Sequence, residues 1–440
     1  MALIPSGGIG LGYGTLVRSG LRQRIVPDNA NGFYVVARND RGTAFAHRFT
    51  RNSGGSEATD TGAPWANWRY VGTAEIPTFD AAPTHAARFV YSEDVGAQDY
   101  AFQSSANGKF MGSYHGGAVL SSEAVRIDGV PVDPLIAATG TRVTVEHSVT
   151  LTSGAANLTL TCEIAIDPGD GGLSFAMPAT ASAAAFAPAF WGMGIASGDT
   201  YDQCDLVLSG GTSEFSLPVG TGTTYLGAAR RIRLRDSVTG RAIRIDTNAA
   251  TQPAFRRASV LRTPARTKWY LEGLTGMNAS KANIVWRVRF EAGSGPATTP
   301  GANLLTNGGF SADLSGWNTV MSGGSVGWNA GKLRATRGSG SDNRITQAAA
   351  VLPGAAYLLS GEHQTSAGAA PSLALTNNAA SYQTPAAAYP PTPFAGDGYT
   401  AHVVVPTAAS SWVMLLQSVG TAGQTSDFDN ISLVKLADAI

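Results

Sequence analysis

Asn303-Leu304-Leu305-Thr306-Asn307-Gly308-Gly309-Phe310, followed by Trp317, and Asp427-Phe428-Asp429-Asn430-Ile431-Ser432-Leu433 near the C-terminus, are the two segments on which the architecture of this chain turns. In the first, a short apolar strand is expected to run into Asn307-Gly308-Gly309 and turn sharply there, because glycine tolerates positive φ. Phe310 and Trp317 then supply buried aromatic area. In the second, Phe428, Ile431 and Leu433 break strict alternation at Asp429-Asn430, as expected where a strand bulges or presents a polar ligand group.

With those residues in view, positions 303–436 resemble the carbohydrate-binding modules of the family 4/9 type and their galactose-binding-like relatives. In that family an N-L-L-x-N-G-x-F-E opening pairs with a closing x-D-N/D-[IV]-x-[LV] strand. The resemblance implies a jelly roll that binds glycans, a module common in secreted glycanases and in phage tail and head fibres. It also implies a structural calcium ion between the opening strand and the closing aspartate. Asp429 matches that aspartate, whereas Ser311 stands where the family has glutamate. Calcium takes about six to eight oxygen ligands, so losing a carboxylate weakens the site. The other reading of Asp429 is a turn residue that bonds backbone N–H groups.

A chain of 440 residues is too long for one ordinary core. Charged residues make up only 14%, with 53 Gly, 22 Pro and 43% hydrophobic residues. That mixture excludes a disordered polyampholyte and points to a turn-rich all-β protein. Lys+Arg and Asp+Glu balance at 31 each, so nothing draws the chain as a whole to nucleic acid or an anionic membrane. No apolar run is long enough to span a bilayer. Cys162 and Cys204 lie in no CxxC or Cys/His cluster, and two buried thiols are expected ahead of a single bridge. The N-terminal residues Met1 to Gly8 lack the basic residues and apolar core of an export signal, which is the pattern of a virion component released by lysis.

Along the chain, residues 1–26 form a Gly-rich segment with Arg18, Arg22 and Arg24 near its end, expected to be an attachment arm. Residues 27–292 read as a β-sandwich body. Phe33–Arg38 and Phe45–Phe49 flank the turn sequence Asn39-Asp40-Arg41-Gly42 as a hairpin. Leu158, Leu160, Cys162, Ile164 and Ile166 alternate onto one face, which a second sheet must cover. Ala181–Ala189 is consistent with a short helix or a loop. Residues 293–302 read as a linker, and 303–440 as the jelly-roll domain.

Several clusters are candidates for chemistry. Tyr114 and His115 sit in Phe110–Gly117, where glycines allow close backbone approach, and a phenol or imidazole could serve as the base of a polysaccharide lyase. Neighbours on a strand point to opposite faces, however, so a packed tyrosine and a hydrogen-bonded histidine are the plainer expectation. Asp199, Asp202 and Asp205, and the loop Asp167-Pro168-Gly169-Asp170-Gly171-Gly172, could hold catalytic carboxylates or calcium, or could bond their own backbone. Arg231, Arg233 and Arg235 alternate onto one strand face, where guanidinium groups could bind acidic sugars bidentately or form a salt-bridge row. Within 303–440, sugars stack on exposed aromatic rings, and the candidate platforms are Trp328, Tyr357, Tyr382, Tyr389 and Trp412, with Trp317 assigned to the core.

Taken together, these features lead us to expect a phage or phage-like tail or head fibre or spike, located at the virion surface. Its partners would be other virion subunits and a host-surface glycan, and the resemblance to fibre proteins, rather than any heptad in this chain, implies that copies assemble as a trimer. The alternative is an extracellular or virion-borne glycan-degrading enzyme, lyase before hydrolase, with the same module as its targeting arm.

Overall fold

The protein was analysed as a computed structural model. It describes residues 22–439 apart from 40, 52–67, 84–86, 92–97, 105–109, 113–117, 154, 182–185, 198–200, 209–212, 228, 248–254, 265, 274–280, 294, 296–299, 322, 341–342, 367–370, 377–391, 394–397, 408 and 418–420. All of its named elements are β-strands. The alternation that predicts an all-β protein is therefore realised throughout.

The body holds a six-stranded and a ten-stranded sheet. The expected hairpin forms from Gly32–Arg38 and Ala44–Thr50, with Gly42 at φ 84° in its turn. Leu158, Leu160, Cys162, Ile164 and Ile166 are all buried on one face of Ala156–Ile166, in a core they share with Phe33, Phe45, Tyr70 and Phe175. Two expectations shift. The strand Gln23–Asn29 begins inside the segment assigned to an arm, because Gln23 and Ile25 are buried against the body and Gln23 bonds Ile166 and Val143. The Ala181–Ala189 stretch contributes no helix among the described residues; Phe186–Ser197 is a strand.

The C-terminal region is a second two-layer unit. A five-stranded sheet runs in the order Asn318–Val320, Asn343–Ala350, Ser410–Gln417, Pro371–Thr376 and Thr392–Pro393. It faces Lys332–Thr336, Ala355–Thr365, Gly398–Val404 and the closing strand Thr425–Ala439. Between the layers lie Phe310, Trp317, Leu333, Ile345, Tyr357, Leu359, Leu415, Phe428 and Leu433. The closing strand bulges beside Asn430, which adopts φ 49°. The opening segment differs from expectation. It makes one bridge, Asn303 to Val434, and then turns, because Asn307 and Phe310 both take positive φ and cannot continue a ladder.

The two units are not beads on a string. Gly398–Val404 pairs in parallel with Gly222–Gly227 of the body, so an eleven-stranded sheet runs from one unit into the other. Ala356, Leu358, Ala401, Val403 and Leu436 turn away from the C-terminal core and join the body core instead. Burying each Leu or Val in this way contributes roughly 1.5–3 kcal/mol. Glycine makes the approach possible: a Cβ at Gly222 would lie 2.2 Å from the Tyr399 carbonyl oxygen. The linker is also held at both ends, since the Gly293 N–H donates to Gly240 and the Gly301 N–H to Lys435.

Candidate functional site

The charged clusters of the body are consumed internally. Asp205 is 0% exposed, and its carboxylate accepts from Arg233 at 2.7 Å, from Arg235 at 3.3 Å and from the Ser216 hydroxyl. Arg233 also reaches Glu291, while Arg231 pairs with Asp246. The row read as a possible acidic-sugar site is thus an ion-pair ladder, its partners supplied by neighbouring strands. The Asp167–Gly172 loop is similarly filled. The Arg287 guanidinium lies 2.7 Å from Asp167 and 2.8 Å from Asp170, where a cation would have to sit. Asp202 accepts from the backbone and hydroxyl of Ser237, which hold its carboxyl below the usual range despite partial burial. Cys162 and Cys204 are free and buried, as expected, and burial followed by the nearby Asp205 charge pushes the Cys204 thiol upward.

At the calcium position implied by the family resemblance, the donors are occupied. One Asp429 carboxylate oxygen accepts the Asn430 N–H, and Asn303 Oδ1 accepts from Leu305 and Leu433. The Asn307 carbonyl oxygen takes the indole N–H of Trp317. No group of three or more His, Cys, Asp or Glu side chains suited to a metal occurs among the described residues. These residues do not fit a cage of about six to eight oxygens.

The aromatic candidates separate clearly. Trp317 packs in the core beside Phe310, as expected. Tyr357 is 1% exposed, with its hydroxyl accepting the Leu352 N–H, so it cannot be a sugar platform; alternation turns it inward together with Leu359. Trp328 is 48% exposed, but its indole N–H is tied to the Phe310 carbonyl at 2.7 Å and its register partner is the core residue Leu333. It sits at the rim of the core. Tyr382, Tyr389, Tyr114 and His115 lie outside the described residues.

Trp412 is placed differently. Along Ser410–Gln417, Val413 and Leu415 enter the core, which sends Trp412 and Met414 to the outer face of the five-stranded sheet. On that face Trp412 lies between Ala348 and Thr376, and Met414 between Thr346 and Ala374, with Asn318 beyond Thr346. Val320 and Arg344 flank the next row. Asn318, Val320 and Ala348 are exposed, Arg344 and Trp412 half-buried, and Met414 0% exposed. Thr346, Ala374 and Thr376 are buried as well, so on this face it is Trp412, Arg344 and the exposed Asn318, Val320 and Ala348 that reach solvent. The half-buried indole lies beside the exposed Ala348, and Asn318 and Arg344 are the solvent-reaching polar groups nearby. Sequence reasoning singled out Trp412 but missed these companions, which only cross-strand register brings together.

No protein-family model and no curated protein matches the chain. Among solved structures, a CBM4 structure is 17% identical with a TM-score of 0.23, covering 30% of this chain and 98% of that one. The enzymatically active domain of tailspike protein 4 from bacteriophage CBA120 is 16% identical with a TM-score of 0.24, and the match covers 30% of this chain and 21% of that one. A Paenibacillus xanthan lyase is 11% identical with a TM-score of 0.28, covering 91% of this chain and 51% of the lyase. The chain thus spans well under two thirds of the tailspike domain and of the lyase. At such TM-scores none of these likenesses carries an argument about activity.

Proposed function

We propose that this chain is a structural and adhesion subunit of a phage or phage-like fibre or spike, and that it holds host-surface polysaccharide on the outer face of the five-stranded sheet. The observation that carries the binding reading is Trp412, half-buried on that face beside the exposed Ala348, with the exposed Asn318 and the half-buried Arg344 on the same face. An indole can stack on the apolar face of a pyranose while the polar neighbours bond its hydroxyls. The virion reading rests on the resemblance of residues 303–436 to modules of phage fibres and on nothing in the site itself. Association with other virion subunits, as a trimer, belongs to the same proposal, and several copies per particle would raise a weak single-site affinity through effective concentration.

The test is retention of the full chain on immobilised host-surface polysaccharide. Trp412→Ala should weaken retention by about tenfold or more with an unchanged melting temperature, the equivalent of losing one good stacking contact. Equal retention by both proteins would remove the face from consideration. Purified particles should contain the chain, as read by mass spectrometry.

A further inference from the structure

Most charged groups of the body are spent on one another, but the outer face of the ten-stranded sheet keeps four that are not. Along Val143–Ser153 the residues Val143, Val145, His147 and Val149 are buried, which turns Thr144, Glu146 and Ser148 to the opposite face. Cross-strand register sets Arg126 beside Thr144 and Glu163 beside Glu146. The exposed Arg142 stands just before the strand in the same alternation. Two charged rows result, the arginines at one end and the glutamates further along the strands. Arg126, Glu146 and Glu163 are half-buried, and among the described residues none of the four has a side-chain hydrogen bond or ion pair.

Like charges directly opposite one another on adjacent strands destabilise a sheet, and the Cβ atoms of such a pair lie only about 5 Å apart. Glu146 and Glu163 are such a pair, and the neighbours that complete their row, Ala124 and Ala176, bring no cation. The compensating charge has to come from outside the chain. The same face carries it in the other row, and alanine at positions 124, 165 and 176 keeps the surface low enough for a second face to approach. Packed sheets lie about 10 Å apart, a gap that an arginine and a glutamate span together. A two-fold axis lying in the plane of the contact, between the two rows, carries the arginines of each copy towards the glutamates of the other.

We propose that the outer face of Ala118–Ile127, Val143–Ser153 and Ala156–Ile166 docks a second copy of this chain about a two-fold axis, with Arg126 and Arg142 of each copy paired to Glu146 and Glu163 of the other. The contact is additional to the trimer proposed above, because a three-fold ring joins two different patches and cannot set one patch against itself. It lies on the body, and its test reads mass alone, so it stands or fails apart from the glycan reading of the Trp412 face.

Sedimentation equilibrium of the full chain tests the contact. A step that doubles the mass should appear with rising concentration, and its dissociation constant should increase about tenfold or more between about 0.05 and 0.5 M salt. The double reversals Arg126→Glu with Arg142→Glu, and Glu146→Arg with Glu163→Arg, should each abolish the doubling with an unaltered melting temperature. Mixing the two variants should restore it, since each then offers the charge that the other lacks. Arg142→Glu alone, at an exposed position that cannot disturb the core, should weaken the step about fivefold or more. The proposal is overturned if the wild type shows no doubling, if the doubling survives both double reversals, or if the mixed variants fail to associate while both remain folded.

Discussion

The body and the C-terminal unit are built from the same strand alternation but dispose of their polar groups in opposite ways. The body turns them on one another: Asp205 lies under Arg233 and Arg235, Arg287 fills the Asp167–Asp170 loop, and His47 and Tyr70 meet on the Thr73 hydroxyl. The outer sheet face of the C-terminal unit instead leaves a large aromatic half-buried beside the exposed Ala348. A residue type suited to binding becomes a binding residue only where its own chain does not already supply the partner.

Acid should separate the two regions most strongly. Burial holds the His47 imidazole down to about 3 and that of His147 down to about 4, from an ordinary 6.5. The folded protein therefore resists a proton that the unfolded chain accepts. Stability is intact above about pH 6.5 and falls by about 1.4 kcal/mol per pH unit for each histidine as pH drops towards 4. Denaturant titrations between pH 7 and 4.5 should show this slope, and His47→Gln should reduce it.

Next in size is Asp205→Ala. Removing the carboxylate that Arg233 and Arg235 share leaves Arg233 with Glu291 and takes the Asp205 ion pair from the half-buried Arg235, a loss of about 3–5 kcal/mol in equilibrium unfolding. A loss below about 1 kcal/mol would mean that the ladder is a solvated surface after all.

Gly222→Ala probes the junction between the two regions. The residue adopts φ 125°, and its Cβ would strike the Tyr399 carbonyl. Strain at such a position costs of order 1–3 kcal/mol. Calorimetry should show one transition for the wild type and two for the variant as the units uncouple. Smallest is Arg231→Ala, whose half-exposed pair with Asp246 should contribute under about 1 kcal/mol and leave glycan retention untouched.

Much of the architecture was legible because alternation is a local signal. It placed Leu158 to Ile166 on a core face, put Trp317 inside, and located the bulge at Asp429-Asn430. Tyr357 misled because its neighbours Ala356 and Leu358 are also buried, against the other core, so neither side of that strand is marked by polar residues. The salt-bridge alternative for the arginine row holds, but its partners were not legible because the carboxylates come from other strands, Asp205 on Tyr201–Leu208 and Glu291 on Lys281–Ala292. The pairing of Gly222–Gly227 with Gly398–Val404 had no sequence signature, since a parallel ladder between distant segments leaves no turn residues to announce it.

That ladder bears on how such a protein can be rebuilt. A unit joined to its host by shared backbone hydrogen bonds, a glycine-dependent close approach and a common core is not a portable cassette. Cutting at residue 302 would leave Gly222–Gly227 with an unpaired edge and strip cover from the apolar side chains behind it, inviting aggregation. Specificity in this chain is better altered by exchanging side chains around Trp412 than by swapping the unit whole.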